Sequence, residues 1–326
     1  MSQRRITKFG IATLLSLGAL SASAAYPEKP IVITVPFAAG GPTDTVARQL
    51  AQAMQKSLKQ TIIIENVGGA GGTLGVAKIA RAPADGYSLA LTHIGMSTAP
   101  SLYRTLPFKP LEDFEYVGRI VDVPMVFITR PGLPVKDFKE LVSWAKAQPK
   151  ESVTLGNAGI GSASHLCGLL LQSTIEVDMN TVPYKGTGPA IADVMGDRID
   201  LMCDQSTNTT SHIQAAKVKA IAVAGNKRIS SIPNVPSAAD AGYRNFDISV
   251  WHGLYAPKNT PKAVLDVLGN SLREAVKDPD FVRRMQELGA NVSAGDEVTA
   301  DGLRKHLAAE INKWAPLIKK AGQYAD

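Results

Sequence analysis

Residues 154–171 read TLGNAGIGSASHLCGLLL and contain a strand end, a glycine-rich loop and the start of an apolar helix. Gly159 and Gly161 give the loop backbone freedom, and either Ser162 or Ser164 can cap the helix that follows. The first N–H groups of a helix have no partner within it, and here they face the carboxyl edge of a sheet. This stretch therefore predicts a strand, loop and helix unit whose loop can hold an anion.

The same unit occurs earlier in the chain, at residues 35–48, VPFAAGGPTDTVAR. Gly40 and Gly41 let the backbone turn, and Pro42 suits the first position of a helix. Asp44 falls in the first helical turn, where it either stabilises the helix dipole or contacts a ligand. Two such units, roughly 120 residues apart, indicate two α/β lobes.

Continuous apolar strands such as IVITVPF and SVTLGN alternate with helical segments, which is typical of parallel-rich sheets flanked by helices. Two extended stretches, residues 118–130 and 246–256, are long for one strand and are where we expect the chain to cross between lobes. The prediction is an α/β protein with one lobe formed by residues 25–126 and 248–326. The second lobe is predicted at residues 127–247.

The first 24 residues predict a signal peptide, because basic residues precede a short apolar run and Ala22-Ser23-Ala24 suits cleavage near Ala24. Its removal lowers the formal net charge from +6 to about +3, too little for a nucleic-acid footprint. The histidines and cysteines show no metal-binding spacing, so no metal or other cofactor is expected. We expect an exported monomer with no nucleic-acid partner. Cys167 and Cys203 are either disulfide-bonded or reduced and buried.

Two kinds of chemistry compete with simple anion binding in these loops. Dinucleotide binding is disfavoured, because Ser164 stands where the third glycine of GxGxxG belongs. Nucleophilic catalysis is disfavoured as well, because Ser164 and His165 are neighbours whose side chains diverge. The nearest approach to a GxSxG elbow, around Ser97, ends in Ala99. A secreted serine hydrolase using Ser97 or Ser164 remains the alternative function.

Two further segments offer candidate ligand contacts. Asp204 ends the strand IDLMCD, where it can orient a loop amide, accept from a ligand hydroxyl or amine, or cap the next helix. Residues 182–190, VPYKGTGPA, give Tyr184 as an amphipathic wall and another helix start at 186–189. Lys185 is either an anion partner or a solvated surface lysine.

Several segments together resemble the substrate-binding receptors of tripartite tricarboxylate transporters, often called the Bug family. They are YPEKPIVITVPFAAGGPTDTVARQLAQAM, TIIIENVGGAGGTLGVAKIARAPADGYSL, LGNAGIGSASHL, TVPYKGTGPAIADVMGDRIDLMCD and WHGLYAPKNTPKAV. The likeness runs in order from Tyr26 to the C-terminal helix. This sequence departs from the commonest form at Ala39, where proline is frequent, and at Cys167 and Cys203.

The resemblance implies a two-lobed periplasmic binding protein of type II topology, which closes on a small carboxylate and delivers it to membrane transporter subunits. It implies no enzymatic activity, and the ligand can be a di- or tricarboxylate or an aromatic acid. Main-chain amides, hydroxyls and bridging waters hold the carboxylates in such receptors. The expected ligand-binding residues are Phe37, Ala39, Gly40, Gly41, Thr43, Asp44, Thr92, His93, Ser97, Ala158, Gly159, Gly161, Ser162, Ser164, His165, Tyr184 and Asp204.

Overall fold

A computed structural model describes residues 26–244, 246, 248–322, 324 and 325, so the predicted signal peptide lies outside the described residues. The strands are β1 (Ile31–Val35), β2 (Ile62–Asn66), β3 (Ser88–His93), β4 (Phe114–Thr129), β5 (Thr154–Asn157), β6 (Asn180–Pro183), β7 (Leu201–Gln205), β8 (Lys219–Val223), β9 (Ser249–Pro257) and β10 (Asn291–Val292). The helices are α1 (Pro42–Leu58), α2 (Thr73–Ala80), α3 (Gly95–Leu102), α4 (Phe138–Ala147), α5 (Ala163–Ile175), α6 (Thr187–Met195), α7 (Ser206–Gln214), α8 (Lys262–Ala275), α9 (Pro279–Glu287) and α10 (Ala300–Ala321).

The strands form one curled sheet in the order β2-β1-β3-β9-β4-β7-β5-β6, with β8 and β10 also paired to β4. The outer strands pair in parallel, as the sequence predicts: β1 with β2 and β3, and β5 with β6 and β7. The centre is antiparallel, which the sequence pattern does not indicate. The strands that connect the two halves run in opposite directions because the chain must leave the first half and later return to it.

Strand β4 belongs to both halves of the sheet. Its first part pairs with β9 as far as Pro124, opposite Ser249. From Met125 onward its partners are β7 and β8. Among the described residues, the return strand β9 pairs with β3 and with the first part of β4 and with no other strand. The chain therefore returns to the first half of the sheet before Ser249. The sheet therefore changes from one half to the other at a single step along β4.

Helix α1 forms because its apolar residues recur at helical spacing and its ends are specified by the sequence. Val46, Leu50 and Met54 are fully buried against β1. Pro42 occupies the first helical turn, and Lys59 ends the helix in the left-handed conformation. Each such buried side chain contributes on the order of 1.5–3 kcal/mol to the free energy of unfolding. This packing fixes the start of α1 at the end of β1.

Helix α5 packs into a different buried cluster from α1. Leu166 and Leu171 lie in the same buried cluster as Phe127 of β4 and Leu201 of β7. Its N-terminal end lies at the end of β5.

Over the described ranges, no helix is long and apolar enough to span a membrane.

Candidate functional site

A cavity of about 320 Å³, including its mouth, lies where β1, β3, β5 and β7 end. Only about 20 Å³ of that space lies clear of the surrounding atoms, which is room for about one water molecule. Both halves of the sheet contribute to its wall. The lining residues are Phe37, Ala38, Gly41, Pro42, Thr43, His93, Ala158, Ser162, Ala163, Ser164, Thr187, Asp204 and Gln205.

The start of α1 faces the cavity without a side-chain cap. Its N-cap is Gly41, which has no side chain to accept from the first turn. Pro42 carries no N–H, so the main-chain N–H groups of Thr43 and Asp44 are the donors left without a helical partner. The Thr43 hydroxyl lies 3.4 Å from Nε2 of His252. The main-chain amides are therefore the principal donors that α1 offers to an anion.

Asp44, predicted to bind ligand, instead holds the loop before α1 in place through hydrogen bonds. Its carboxylate accepts from the Gly40 N–H at 2.9 Å, from Nε of Arg48 at 2.8 Å and from the Asn66 amide at 3.0 Å. Burial raises its pKa, but these hydrogen bonds outweigh that effect and hold the pKa below its usual value. The carboxylate is thus ionised, its oxygens already accept hydrogen bonds, and it does not line the cavity.

Helix α5 begins at the cavity with a cap of its own. The Ser162 hydroxyl accepts from the His165 N–H at 3.3 Å, which satisfies one of the free amides of the first turn. The Ser164 hydroxyl accepts from the Ala158 N–H at 2.7 Å, and the His165 ring accepts from the Gly161 N–H through Nδ1 at 3.3 Å. The glycine loop is therefore held mainly by its own side chains.

A third helix start, that of α6, also lies at the cavity. Its N-cap is Gly186, again without a side-chain cap. The Thr187 side chain lines the cavity, and its buried hydroxyl oxygen has no hydrogen-bond partner among the described residues. The sequence indicates this helix start, but Thr187 is absent from the predicted site. An unpaired buried hydroxyl beside free helix amides is suited to a ligand oxygen.

The histidines on the cavity wall and directly behind it add no positive charge. Burial lowers the pKa of His93 to about 3 and that of His165 to about 4, so both rings are neutral at pH 7. His93 accepts from the Gly95 N–H through Nδ1 and stacks on Phe37 with ring centres 4.6 Å apart. Among the described residues, those that line the cavity include no lysine and no arginine.

Asp204 and Gln205 form the remaining wall, at the end of β7. Asp204 is 1% exposed, and its Oδ2 accepts from the Asn208 amide at 2.6 Å. Burial raises the pKa of its carboxyl to about 7, although hydrogen bonds from Asn208 and from the Gln205 amide oppose that rise. The side-chain oxygen of Gln205 is buried with no partner in the described part of the chain.

The structure places eight of the predicted residues on the cavity wall: Phe37, Gly41, Thr43, His93, Ala158, Ser162, Ser164 and Asp204. The others lie elsewhere, because a loop has two sides and a sequence does not show which side faces inward. Ala39 and Gly40 are exposed on the outer side, and Asp44, Gly159, Gly161 and His165 support the loops from within. Thr92 lines a separate small cavity with Phe108, and the Tyr184 hydroxyl donates to Asp193 at 2.7 Å.

Ser97 also lies away from the cavity, which bears on the hydrolase alternative. It is fully buried inside α3, and its hydroxyl donates to the Ile94 carbonyl at 2.7 Å. The expected loop at residues 92–97 is short, because α3 already begins at Gly95. Ser164 contacts the Ala158 amide and lies 3.2 Å from the Ser162 hydroxyl. In the described part of the chain, neither serine hydroxyl is hydrogen-bonded to a base that could activate it for nucleophilic catalysis.

The predicted site has five omissions: Ala38, Pro42, Ala163, Thr187 and Gln205. All of them except Thr187 are direct neighbours of predicted residues. Thr187 belongs to a glycine-rich helix start that the sequence shows, so its signal is present. Nothing in the sequence singles out Gln205, because it reaches the cavity only through its position at the end of β7.

Residues beyond the cavity wall bring the two halves of the molecule into contact. The Tyr103 hydroxyl donates to the Ile160 carbonyl at 3.2 Å. A Cβ on Gly71, whose φ is +60°, would lie 2.4 Å from the same carbonyl oxygen. On the other side, a Cβ on Gly186 would lie 3.0 Å from that of Ala38. The glycines therefore permit a close approach that side chains would prevent.

Cys167 and Cys203 are joined by a disulfide in the structure, with Cα atoms 6.0 Å apart. Both residues are fully buried. Cys167 lies in the second turn of α5, three residues after Ser164, and Cys203 lies in β7, directly before Asp204. Two parts of the cavity wall are thus covalently tied to each other.

Comparisons with known proteins agree with this architecture. Residues 46–323 match the model of the tripartite tricarboxylate transporter family receptor. The solved structure of the periplasmic binding protein BugD is 48% identical, covers 92% of this chain and 99% of its own, and has a TM-score of 0.89. MatC from Rhodopseudomonas palustris, solved with bound malate, is 35% identical over 90% of this chain and 100% of its own, with a TM-score of 0.86.

A third solved structure, Rpa4515 from R. palustris with adipate, is 28% identical, covers 91% of this chain and 98% of its own, and has a TM-score of 0.86. These neighbours confirm the predicted two-lobed α/β fold. They are solute-binding proteins, so the serine hydrolase alternative is set aside. The chain belongs to the tripartite tricarboxylate transporter receptor family.

Proposed function

We propose that the protein captures a small dicarboxylate in this cavity, with one carboxylate at the start of α1 and the other at the start of α6. The observation that carries the proposal is that these two helices, one from each lobe, begin at the cavity without side-chain caps. Each helix start carries a partial positive charge and unpaired N–H groups. A ligand that bridges them favours the closed arrangement of the lobes.

The absence of lysine and arginine from the described cavity wall supports reversible capture. Helix amides and hydroxyls can hold a carboxylate without a full opposing charge. Such a site keeps a small anion while the lobes are closed and releases it when they separate. This property suits a receptor that passes its ligand to a transporter.

The comparisons support the ligand class. MatC was solved with malate and Rpa4515 with adipate, and both molecules are dicarboxylates. Thr187 and Gln205 join the cavity-lining residues of the predicted set, other than the α5 cap Ser162, as the proposed ligand contacts.

The remaining parts of the proposal concern the protein's place in the cell. Residues 1–24 direct export and are removed near Ala24, which leaves a periplasmic monomer. Residues 25–126 with 248–326 form one lobe, and residues 127–247 form the other. The closed receptor docks on the membrane subunits of a tripartite tricarboxylate-type transporter. Light scattering tests the monomer, and uptake of labelled ligand with and without the receptor tests delivery.

Isothermal titration calorimetry on residues 25–326 tests the ligand class. The ligands are malate, adipate, citrate and benzoate, with glucose as a neutral control. We expect a dicarboxylate to bind at one-to-one stoichiometry and glucose not to bind. Binding of glucose with no binding of any carboxylate would contradict the proposal.

A further inference from the structure

A second cavity lies beside the strands that connect the two halves of the sheet. It measures about 1050 Å³ including its mouth, and about 510 Å³ of that space lies clear of the surrounding atoms. Asp122 and Asn291 line it from the first half of the sheet, where they pair with each other. Residues 223–227, at the end of β8, line it from the second half. This space is therefore a cleft between the two halves, called here the rear cleft.

The rear cleft and the ligand cavity lie on opposite faces of the crossing strands. His252 of β9 faces the ligand cavity, since its Nε2 lies 3.4 Å from the Thr43 hydroxyl. Trp251, the residue before it, points to the other face, where its ring lies 4.9 Å from that of His306. Asp122 of β4 is the partner of Trp251 in the sheet and points to the same face. The crossing strands thus separate the two spaces.

This placement couples the two spaces mechanically. On the ligand side the lobes touch, because the Tyr103 hydroxyl donates to the Ile160 carbonyl and only about 20 Å³ of the ligand cavity lies clear. The rear cleft is wide in the same structure. When two halves rotate about strands that lie between two clefts, the opening of one cleft narrows the other. Opening of the ligand cavity therefore brings the walls of the rear cleft together.

The walls of the rear cleft carry opposite charges. On the first wall, Arg119 is already paired with Glu297 and donates to the Ser293 hydroxyl at 3.2 Å. Asp122 on the same wall is outside that pair, and its Oδ1 is buried with no partner among the described residues. The second wall holds Lys227, which is exposed and has no ion pair in the described part of the chain. Asp122 and Lys227 are thus the opposite charges left to meet across the cleft.

We propose that Lys227 and Asp122 form an ion pair across the rear cleft when the lobes open, and that this pair holds the receptor open until a ligand is captured. The inference rests on the proposed function, because it needs lobes that close on a ligand. Closure separates the two walls and breaks the pair. A contact that exists only in the open state lowers the closed fraction, and the apparent affinity for ligand falls with it. The rear cleft therefore holds an autoinhibitory contact.

Lys227→Gln tests the contact by calorimetry with malate and adipate. The variant cannot form the pair, so we expect its dissociation constant to fall about threefold, in keeping with an exposed ion pair. The direction is informative, because the loss of a positive charge by itself weakens the binding of an anion. Lys146→Gln is the matched control. Lys146 is an exposed lysine of α4, in the same half but outside the rear cleft, so its loss should leave affinity unchanged or slightly weaker.

Asp122→Asn identifies the partner of Lys227. By itself it should also tighten binding about threefold. The double variant with Lys227→Gln should bind no more tightly than either single variant, because the same pair is lost in each. Additive gains, or a Lys227→Gln protein that binds no better than Lys146→Gln, would overturn the inference. Thermal unfolding establishes that the variants are folded, and the comparison of the two lysine variants stands on its own if Asp122→Asn does not fold.

A crystal structure of the ligand-free protein examines the contact directly. We expect open lobes, with Nζ of Lys227 within about 4 Å of the Asp122 carboxylate. Open lobes with the two groups far apart, or lobes that stay closed without ligand, would overturn the inference. Failure of the wild-type protein to bind any dicarboxylate would overturn the proposed function instead, and the ligand-free structure would still test the ion pair.

Discussion

Each half of the molecule holds a buried aspartate at a helix start near the cavity, yet the two carboxyls have opposite surroundings. Asp44 in the first lobe is bound by Arg48, Asn66 and the Gly40 amide. Among the described residues, the recorded donors to Asp204, in the other half, are all neutral. The first carboxyl holds a loop in shape, and the second is left facing the ligand space. Burial alone therefore does not tell a structural acid from one available to a ligand; the partners do.

The helix starts differ in a similar way. Both α1 and α5 follow glycine-rich loops, but Ser162 caps α5 and Gly41 leaves α1 uncapped. The resemblance of the two loops in sequence thus conceals a difference in the number of free amides. The cap, more than the glycine content, decides which helix start is open to an anion.

The largest expected effect is on how the stability of the ligand-free protein depends on pH when either aspartate is replaced. The pKa of Asp204 is raised to about 7 on folding, so its contribution to stability is full below pH 3.8 and is lost as pH rises towards 7. Asp204→Asn should therefore gain stability relative to wild type over that window, by about 4 kcal/mol at most. Urea denaturation from pH 4 to pH 8 measures the difference.

Asp44→Asn should change stability in the opposite direction to Asp204→Asn. The pKa of Asp44 is lowered on folding, so its contribution is present above pH 3.8 and is lost as the solution becomes more acidic. The variant should be less stable than wild type at neutral pH, and the gap should shrink in acid. His93, His165 and His252 titrate in every variant, so their effects largely cancel in these differences. Parallel pH profiles for both variants would contradict the contrast.

The next largest effect tests whether the α5 loop takes part in closure. Gly71→Ala places a Cβ 2.4 Å from the Ile160 carbonyl of the opposite lobe. The closed arrangement is then blocked, and we expect the dissociation constant to rise about 100-fold, or roughly 2.7 kcal/mol. Calorimetry with the best dicarboxylate measures the loss.

Gly295→Ala is the control for backbone strain. Its φ of +57° matches the +60° of Gly71, but nothing lies within 4 Å of an added Cβ. Both variants lose similar local stability, so only the contact between lobes distinguishes them. Equal loss of affinity in the two variants would show that closure does not involve the Gly71 contact.

The smallest effects separate an open helix start from a capped one. Thr187→Val removes a hydroxyl that has no partner in the described residues, so we expect affinity to fall about tenfold without loss of stability. Ser162→Ala removes the cap of α5 and should lower the free energy of unfolding by about 1 kcal/mol, with little change in affinity. Calorimetry measures the affinity of both variants, and urea denaturation measures their stability. A Thr187→Val protein that loses only stability, or a Ser162→Ala protein that loses only affinity, would contradict these roles.

Much of this arrangement can be predicted from the sequence. Pro42 after two glycines, and Ser162 before an apolar run, indicate both helix starts, and the alternating apolar strands indicate the α/β fold. The division of β4 between two halves of the sheet is not visible, because its pairing depends on strands far along the chain. The roles of Asp44 and Thr43 are not visible either, because adjacent residues at a helix start point in different directions.

A crystal structure of the complex with the tightest-binding dicarboxylate tests the central claim most directly. We predict one carboxylate within about 2.7–3.2 Å of the main-chain nitrogens of Thr43 or Asp44. The second should lie equally close to the main-chain nitrogens of Thr187 or Gly188. Carboxylates held instead by a lysine or arginine, or both placed at the start of α5, would contradict the account.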